Sequence, residues 1–117
     1  MPRDLSDRLK AFQREHFPRY ERAYRRLAAD GQTPGTLFIC CSDSRVLPHL
    51  LLDAQPGEVF TVRNVGNLVP PFEEEQGYHS TSAAIELAVL ALGVRDIVVC
   101  GHSHCGAIRP LYQEPPA

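Results

Sequence analysis

At 117 residues the chain fits one domain, and 44% hydrophobic with 22% charged residues is the balance of an ordinary globular protein. A formal charge of −2 gives no electrostatic case for nucleic acid or an anionic membrane as partner. No apolar run nears the ~20 residues of a membrane span, and the start Met1-Pro2-Arg3-Asp4-Leu5 lacks the apolar core of a signal peptide. A cytoplasmic location is the expectation, and there four cysteines and five histidines suit metal or thiol chemistry better than disulfides.

Residues 4–29 predict helix, because Leu5, Leu9, Phe12, Tyr20, Tyr24 and Leu27 recur at three- and four-residue steps. Pro18 predicts a break or kink near Phe17, and Gly31 a stop. Residues 1–31 are read as a helical arm that either packs on its own domain or clasps a second subunit. Residues 32–117 are read as the core domain.

Thr36 to Cys41 is a continuous apolar run, as expected of a strand buried on both faces. A short helix is expected over 47–52, a second strand over 58–63, and a loop with positive φ at Asn64-Val65-Gly66-Asn67. Val69 to Gly77 reads as a surface loop with a solvated acidic run. Ser80-Thr81-Ser82 can cap a helix, and Ala83 to Leu92, rich in Ala and Leu, predicts a buried one ended by Gly93. Ile97 to Cys100 is the third strand, and a last helix is expected from about Gly106 to Tyr112.

Strands alternating with helices predict an α/β domain with a parallel sheet. Right-handed crossovers allow strand two on one side of strand one and strand three on the other, which is order 2-1-3. Ligands of open α/β sheets sit at strand carboxyl ends where the order reverses. That rule brings together two reactive clusters, Cys41-Ser42-Asp43-Ser44-Arg45 after strand one and Gly101-His102-Ser103-His104-Cys105-Gly106 after strand three.

Cys41, His102 and Cys105 supply the ligands that zinc prefers, and three protein ligands with an open position mark catalytic zinc. Such an ion lowers the pKa of its water to ~7. Cys105, expected near a helix N-terminus, should be held more easily as thiolate. Cys40 and Cys100, one residue earlier, face the other way and read as small buried hydrophobes. His104 competes weakly with His102, while His16, His49 and His79 read as surface or packing residues. Asp43 and Arg45 have three readings: an ion pair that fixes the loop, a carboxylate that Arg45 keeps ionised beside the metal, or a fourth ligand in Asp43 that closes the site.

With Val62-Arg63-Asn64-Val65-Gly66-Asn67 and Ala83-Ala84-Ile85-Glu86 added, the two clusters resemble the β-class carbonic anhydrases, in order and spacing, over roughly Gln32 to Leu111. The resemblance implies zinc on Cys41, His102 and Cys105, with Asp43 and Arg45 as a catalytic dyad. It implies reversible hydration of CO2 to bicarbonate and a proton by zinc-bound hydroxide. Gln32, Phe60, Val65 and Gly106 match substrate-pocket positions, and the family's usual dimer implies a homodimer or higher homo-oligomer. Leu87 stands where plant-like members often carry a tyrosine, and the chain lacks the tryptophan of a bicarbonate-regulated bacterial subgroup. Family members run on for tens of residues, so a C-terminally truncated form would leave strand three as an edge with exposed apolar surface. The alternatives are an inactive zinc-holding assembly partner, or a hydrolase of a CO2 analogue such as CS2 or COS.

Overall fold

The computed structural model describes residues 4–72 and 79–114, so the acidic run Glu73-Glu74-Glu75 lies outside the described residues. The chain divides into two units, Met1–Gln32 and Thr33–Ala117.

The first unit is helical. Helix α1 spans Leu5–Ala11, where the Asp4 carboxylate caps it by accepting from the Asp7 N–H at 2.8 Å. A π-helical turn follows over Phe12–His16, and α2 then runs over Phe17–Asp30. The expected break at Phe17 is therefore a widened turn. Pro18 has no N–H to give the carbonyl four residues back, and its ring crowds that carbonyl. The Phe17 N–H instead reaches back five residues to the Phe12 carbonyl. The widening also gathers side chains that an α-helix would splay. Phe12 and Phe17 lie 6.3 Å apart by ring centroid, and within α2 Phe17 stacks on Tyr24, two turns on along the same face, at 5.7 Å. Gly31 closes the helix with φ +82° and an N–H to Leu27 O.

The second unit is a three-stranded parallel sheet in order β2-β1-β3, as the crossover rule predicts, with β1 at Thr36–Cys41, β2 at Val59–Asn64 and β3 at Asp96–Cys100. Cys41 pairs with Asn64 on one side, and Cys40 with Cys100 on the other. Strand β1 is the core, with relative exposure of 0% at Leu37 and 4% at Cys41. Leu37 and Ile39 pack with Ala88, Phe60, Val62, Ile85 and Val94 on one face. Phe38 and Cys40 pack with Val46, Val59 and Cys100 on the other.

The flanking helices are short. Helix α3 covers Pro48–Leu52 and buries only Pro48. Helix α4 covers Ser80–Glu86 and continues as a π-helical segment over Leu87–Ala91. Its N-cap is His79 with no side-chain cap bond, in place of the expected serine and threonine cap. The expected buried helix is mostly open: Ala88 is its one fully buried residue, while Leu90 is 76% exposed. Only the stripe facing β1 and β2 finds a partner among the described residues. Strand β3 lies at the edge of the sheet and exposes apolar surface, as the sequence anticipates, with Ile97 at 51% and Val99 at 52% exposure. The expected helix over 106–112 is a turn and then a 3-10 helix at Arg109–Tyr112, because Pro110 has no N–H to continue an α-helical ladder.

Candidate metal centre

The first loop is built on the end of β1. The Ser42 N–H extends the ladder to Asn64 O at 2.7 Å. The Asp43 side chain then folds the turn, with Oδ1 accepting from the Arg45 N–H at 2.9 Å. From β2, Arg63 donates Nε to Cys41 O at 3.3 Å and Nη2 to Asp43 O at 2.8 Å. Asn64 braces the other side: Nδ2 donates to Leu68 O at 2.9 Å and Thr81 Oγ1 at 3.1 Å, while Oδ1 accepts from the Leu68 N–H. The sequence carries Arg63 and Asn64 inside the 62–67 motif but does not reveal these contacts. The available signal was a charged and an amide residue ending an otherwise apolar strand.

The second loop leaves β3 at Gly101 and passes through His104 with φ +52°, a left-handed conformation uncommon outside glycine. It brings His102 and Cys105 to Cys41, so that one ligand atom from each lies within 4.8 Å of the others. The Sγ atoms of Cys41 and Cys105 are 3.9 Å apart. Two thiolates at ~2.3 Å from a tetrahedral zinc lie ~3.8 Å apart, so the pair fits that ion. His102 Nδ1 lies 2.8 Å from Ser103 O, and a carbonyl only accepts, so Nδ1 carries the proton. Nε2 is then bare, buried and without a hydrogen-bond partner. A buried imidazole lone pair facing two sulfurs is a metal-ligand arrangement.

The electrostatics agree. The N–H groups of Asp43 at 3.4 Å and Gly66 at 3.3 Å both point at Cys41 Sγ. With His102 beside them, they hold the Cys41 thiol down at about 6, below its ordinary 9.0. His102 is raised in turn by the Cys41 sulfur and by Ser103 O. Gly66 makes its approach at φ +87°, in the loop where the sequence predicts positive φ. The helix N-terminus expected at Cys105 is absent, because the next helical residues begin at Arg109.

Asp43 and Arg45 form a two-pronged pair, Nε to Oδ1 at 3.0 Å and Nη2 to Oδ2 at 2.8 Å. Arg45 holds the Asp43 carboxyl well below the usual carboxylate range. The same Nη2 donates to His104 O at 3.0 Å, so one guanidinium ties the two loops together. Asp43 Oδ2 stands 3.8 Å from His102 Nε2, but Asp43 is not among the three residues whose ligand atoms cluster. Its carboxylate is engaged by Arg45.

The other candidate residues are spread. Val65 is exposed in the turn before Gly66, and Gly106 is exposed beside Cys105. Phe60 pairs with Leu37 in register, four steps before Cys41, or ~13 Å along the strand at 3.3 Å per residue. It packs in the core cluster rather than beside the sulfurs. Gln32 is the last residue of the first unit and is exposed. A cleft of about 650 Å³ opens against His102 and Cys105, bounded also by Gly66, Leu68, Ile108 and Arg109. His16, His49 and His79 are exposed, as a surface role predicts, and Cys40 is buried while Cys100 is half-buried.

An open parallel sheet with two sulfurs and one imidazole converging at its carboxyl end defines an α/β domain whose donor set suits a borderline-soft divalent ion. The carbonic anhydrase family model matches residues 36–117. A carbonic anhydrase of Pseudomonas aeruginosa is 50% identical over 106 residues, which is 91% of this chain and 47% of that protein. The solved β-carbonic anhydrase CcaA superposes with a TM-score of 0.84 at 43% identity, over 92% of this chain and 47% of that one. A structure of tetrameric β-carbonic anhydrases from Sordaria macrospora gives a TM-score of 0.80 at 36% identity, over 94% and 53%. The chain belongs to the carbonic anhydrase family, in its β class. It spans 35–47% of the length of the curated relatives it matches. Among the described residues, no helix is long and apolar enough to cross a membrane.

Proposed function

We propose that the chain carries the zinc site of an enzyme that hydrates CO2 reversibly to bicarbonate and a proton. The observation that carries this reading is the unpartnered His102 Nε2 facing the Cys41 and Cys105 sulfurs beside a carboxylate kept ionised. Cys41 and Cys105 would hold zinc as thiolates, and His102 through Nε2. The metal, when bound, supplies a Lewis acid that makes water nucleophilic at neutral pH. Asp43 cannot donate while Arg45 keeps it ionised, so it accepts a proton contact from the attacking water and orients the oxygen lone pair toward CO2. Arg45 fixes that carboxylate and, through His104 O, the loop that bears two of the ligands. Val65 and Gly106 are chain neighbours of Gly66 and Cys105, which line the cleft beside His102, and from there would border the substrate. The family's oligomers extend the reading to a homodimer or larger homo-oligomer, with residues 1–31 as the clasping arm. The site works with Asp43 outside the metal's ligand set.

Stopped-flow CO2 hydration by the zinc-loaded chain tests this. Zinc-dependent turnover is expected, with its loss in Cys41→Ala along with the bound metal. A folded, zinc-loaded oligomer that turns over neither CO2 nor CS2 and COS defeats it; turnover of CS2 or COS alone reassigns the substrate. The open faces of β3 favour a second reading, a zinc-holding domain that works only when further polypeptide covers that strand. Size-exclusion mass with metal analysis separates the two. A monomer with one zinc and no turnover supports the second.

A further inference from the structure

We propose that Cys40 and Cys100 form a second thiol site, on the sheet face opposite the metal ligands, which a hydroperoxide converts to a disulfide joining β1 to β3. The first ground is register. Cys40 and Cys100 are direct partners in the parallel pairing, so their side chains leave the sheet on the same side. Neighbouring strands run ~4.8 Å apart, inside the range of Cα separations that a disulfide spans. The second ground is packing. Cys100 lies against the buried cluster of Phe38, Cys40 and Val46, while Cys41 belongs to the other face. Both thiols are free, and neither has a part in the metal centre.

Their unequal exposure sets the order of events. Cys40 is fully buried and Cys100 is half-buried at the edge of the sheet, so peroxide meets Cys100 first. Cys100–SH and H2O2 give Cys100–SOH and water. The Cys40 sulfur then attacks the sulfenic sulfur, its proton leaves with the departing hydroxyl as a second water, and the S–S bond forms. Two thiols lose two electrons to one peroxide. The bond forms one residue before Cys41 and two before His102, so it ties the exposed strand to the buried one just beneath the metal centre.

The test treats the zinc-loaded full chain with hydrogen peroxide, alkylates the remaining thiols, and locates any disulfide by tandem mass spectrometry of the digest. Fragmentation must separate residue 40 from 41 and 100 from 105, because each pair shares a tryptic peptide. The expected product is a monomeric Cys40–Cys100 bond, lighter by about 2 Da, with zinc retained and thiols restored by dithiothreitol. Cys100→Ser abolishes the bond. In Cys40→Ala, Cys100 instead proceeds to sulfinic acid; if that core variant does not fold, Cys100→Ser decides alone. A Cys41–Cys105 bond with zinc released, a disulfide between two chains, or sulfinic Cys100 in the unaltered sequence overturns the proposal. Bond location is read without turnover, so the result stands apart from that of the CO2 assay.

Discussion

Cys41 closes β1 and His102 and Cys105 lie on the loop after β3, and the two strands that carry these clustered side chains could hardly be held more differently. β1 is paired on both edges and covered on both faces, and its loop is pinned by Arg63, Asn64 and the Asp43 turn. β3 has one paired edge and half-open faces. Among the described residues its loop is tied to the first chiefly through Arg45 and, within itself, by the Arg109 N–H to Cys105 O. Cys41 is thus placed by the core, while His102 and Cys105 are placed by a strand that the core grips from one side. The site is rigid at Cys41 and conditional at His102 and Cys105.

The largest break in that comparison comes from emptying the two strands in turn. Ile39→Ala should cost about 2–5 kcal/mol, whereas Ile97→Thr on the open strand should stay within about 0.5 kcal/mol. Chemical denaturation of both variants measures the contrast, and equal losses would show that β3 is as much a part of the core as β1. Next is Gly66→Ala. A Cβ there meets Ile108 Cδ1 at 3.1 Å, and φ +87° strains any L side chain, so a loss of about 1–3 kcal/mol is expected together with weaker zinc binding. Arg45→Lys keeps the charge but gives up the two-pronged grip and the bridge to His104 O. A drop of about 10–100-fold in zinc affinity or activity is expected, at little cost to folding.

The smallest expected effect is in pH. Cys41 is depressed in the folded chain from 9.0 to about 6, so the folded state favours its thiolate. The stability this contributes to the metal-free chain is full above about 9 and is lost as pH falls through about 6. Melting temperature should therefore climb between those values, and the climb should flatten in Cys41→Ser. Zinc should be released over the lower part of the same range.

The parts of this architecture legible in the sequence were those written in local pattern. The apolar run at Thr36–Cys41, the crossover rule and the Gly-Asn loop placed the strands and the turn near where they lie. Burial was less legible. The Ala and Leu content of 83–92 reads as a buried helix, but composition does not say how many faces have partners. The π turn at Phe12–His16 was hidden because Pro18 signals a disruption without saying whether the chain breaks or widens. Arg63 was missed because its work is done on carbonyl oxygens, at Cys41 and Asp43, which carry no mark in the amino-acid alphabet. The Ser103 and His104 carbonyls that fix the imidazole and receive Arg45 were invisible for the same reason.

The double grip of Asn64 on Leu68 O and Thr81 Oγ1 bears on how this family can change its shape. One amide fastens the exit of β2 and the first turn of α4 to a single point, so Leu68 and Thr81, which bound the segment between them, are already held together. Lengthening or shortening it adds only the slow logarithmic cost of a longer loop. New polypeptide grafted between Leu68 and Thr81 should therefore leave Gly66, whose N–H points at the Cys41 sulfur, and the pairing of Asn64 with Cys41 in place.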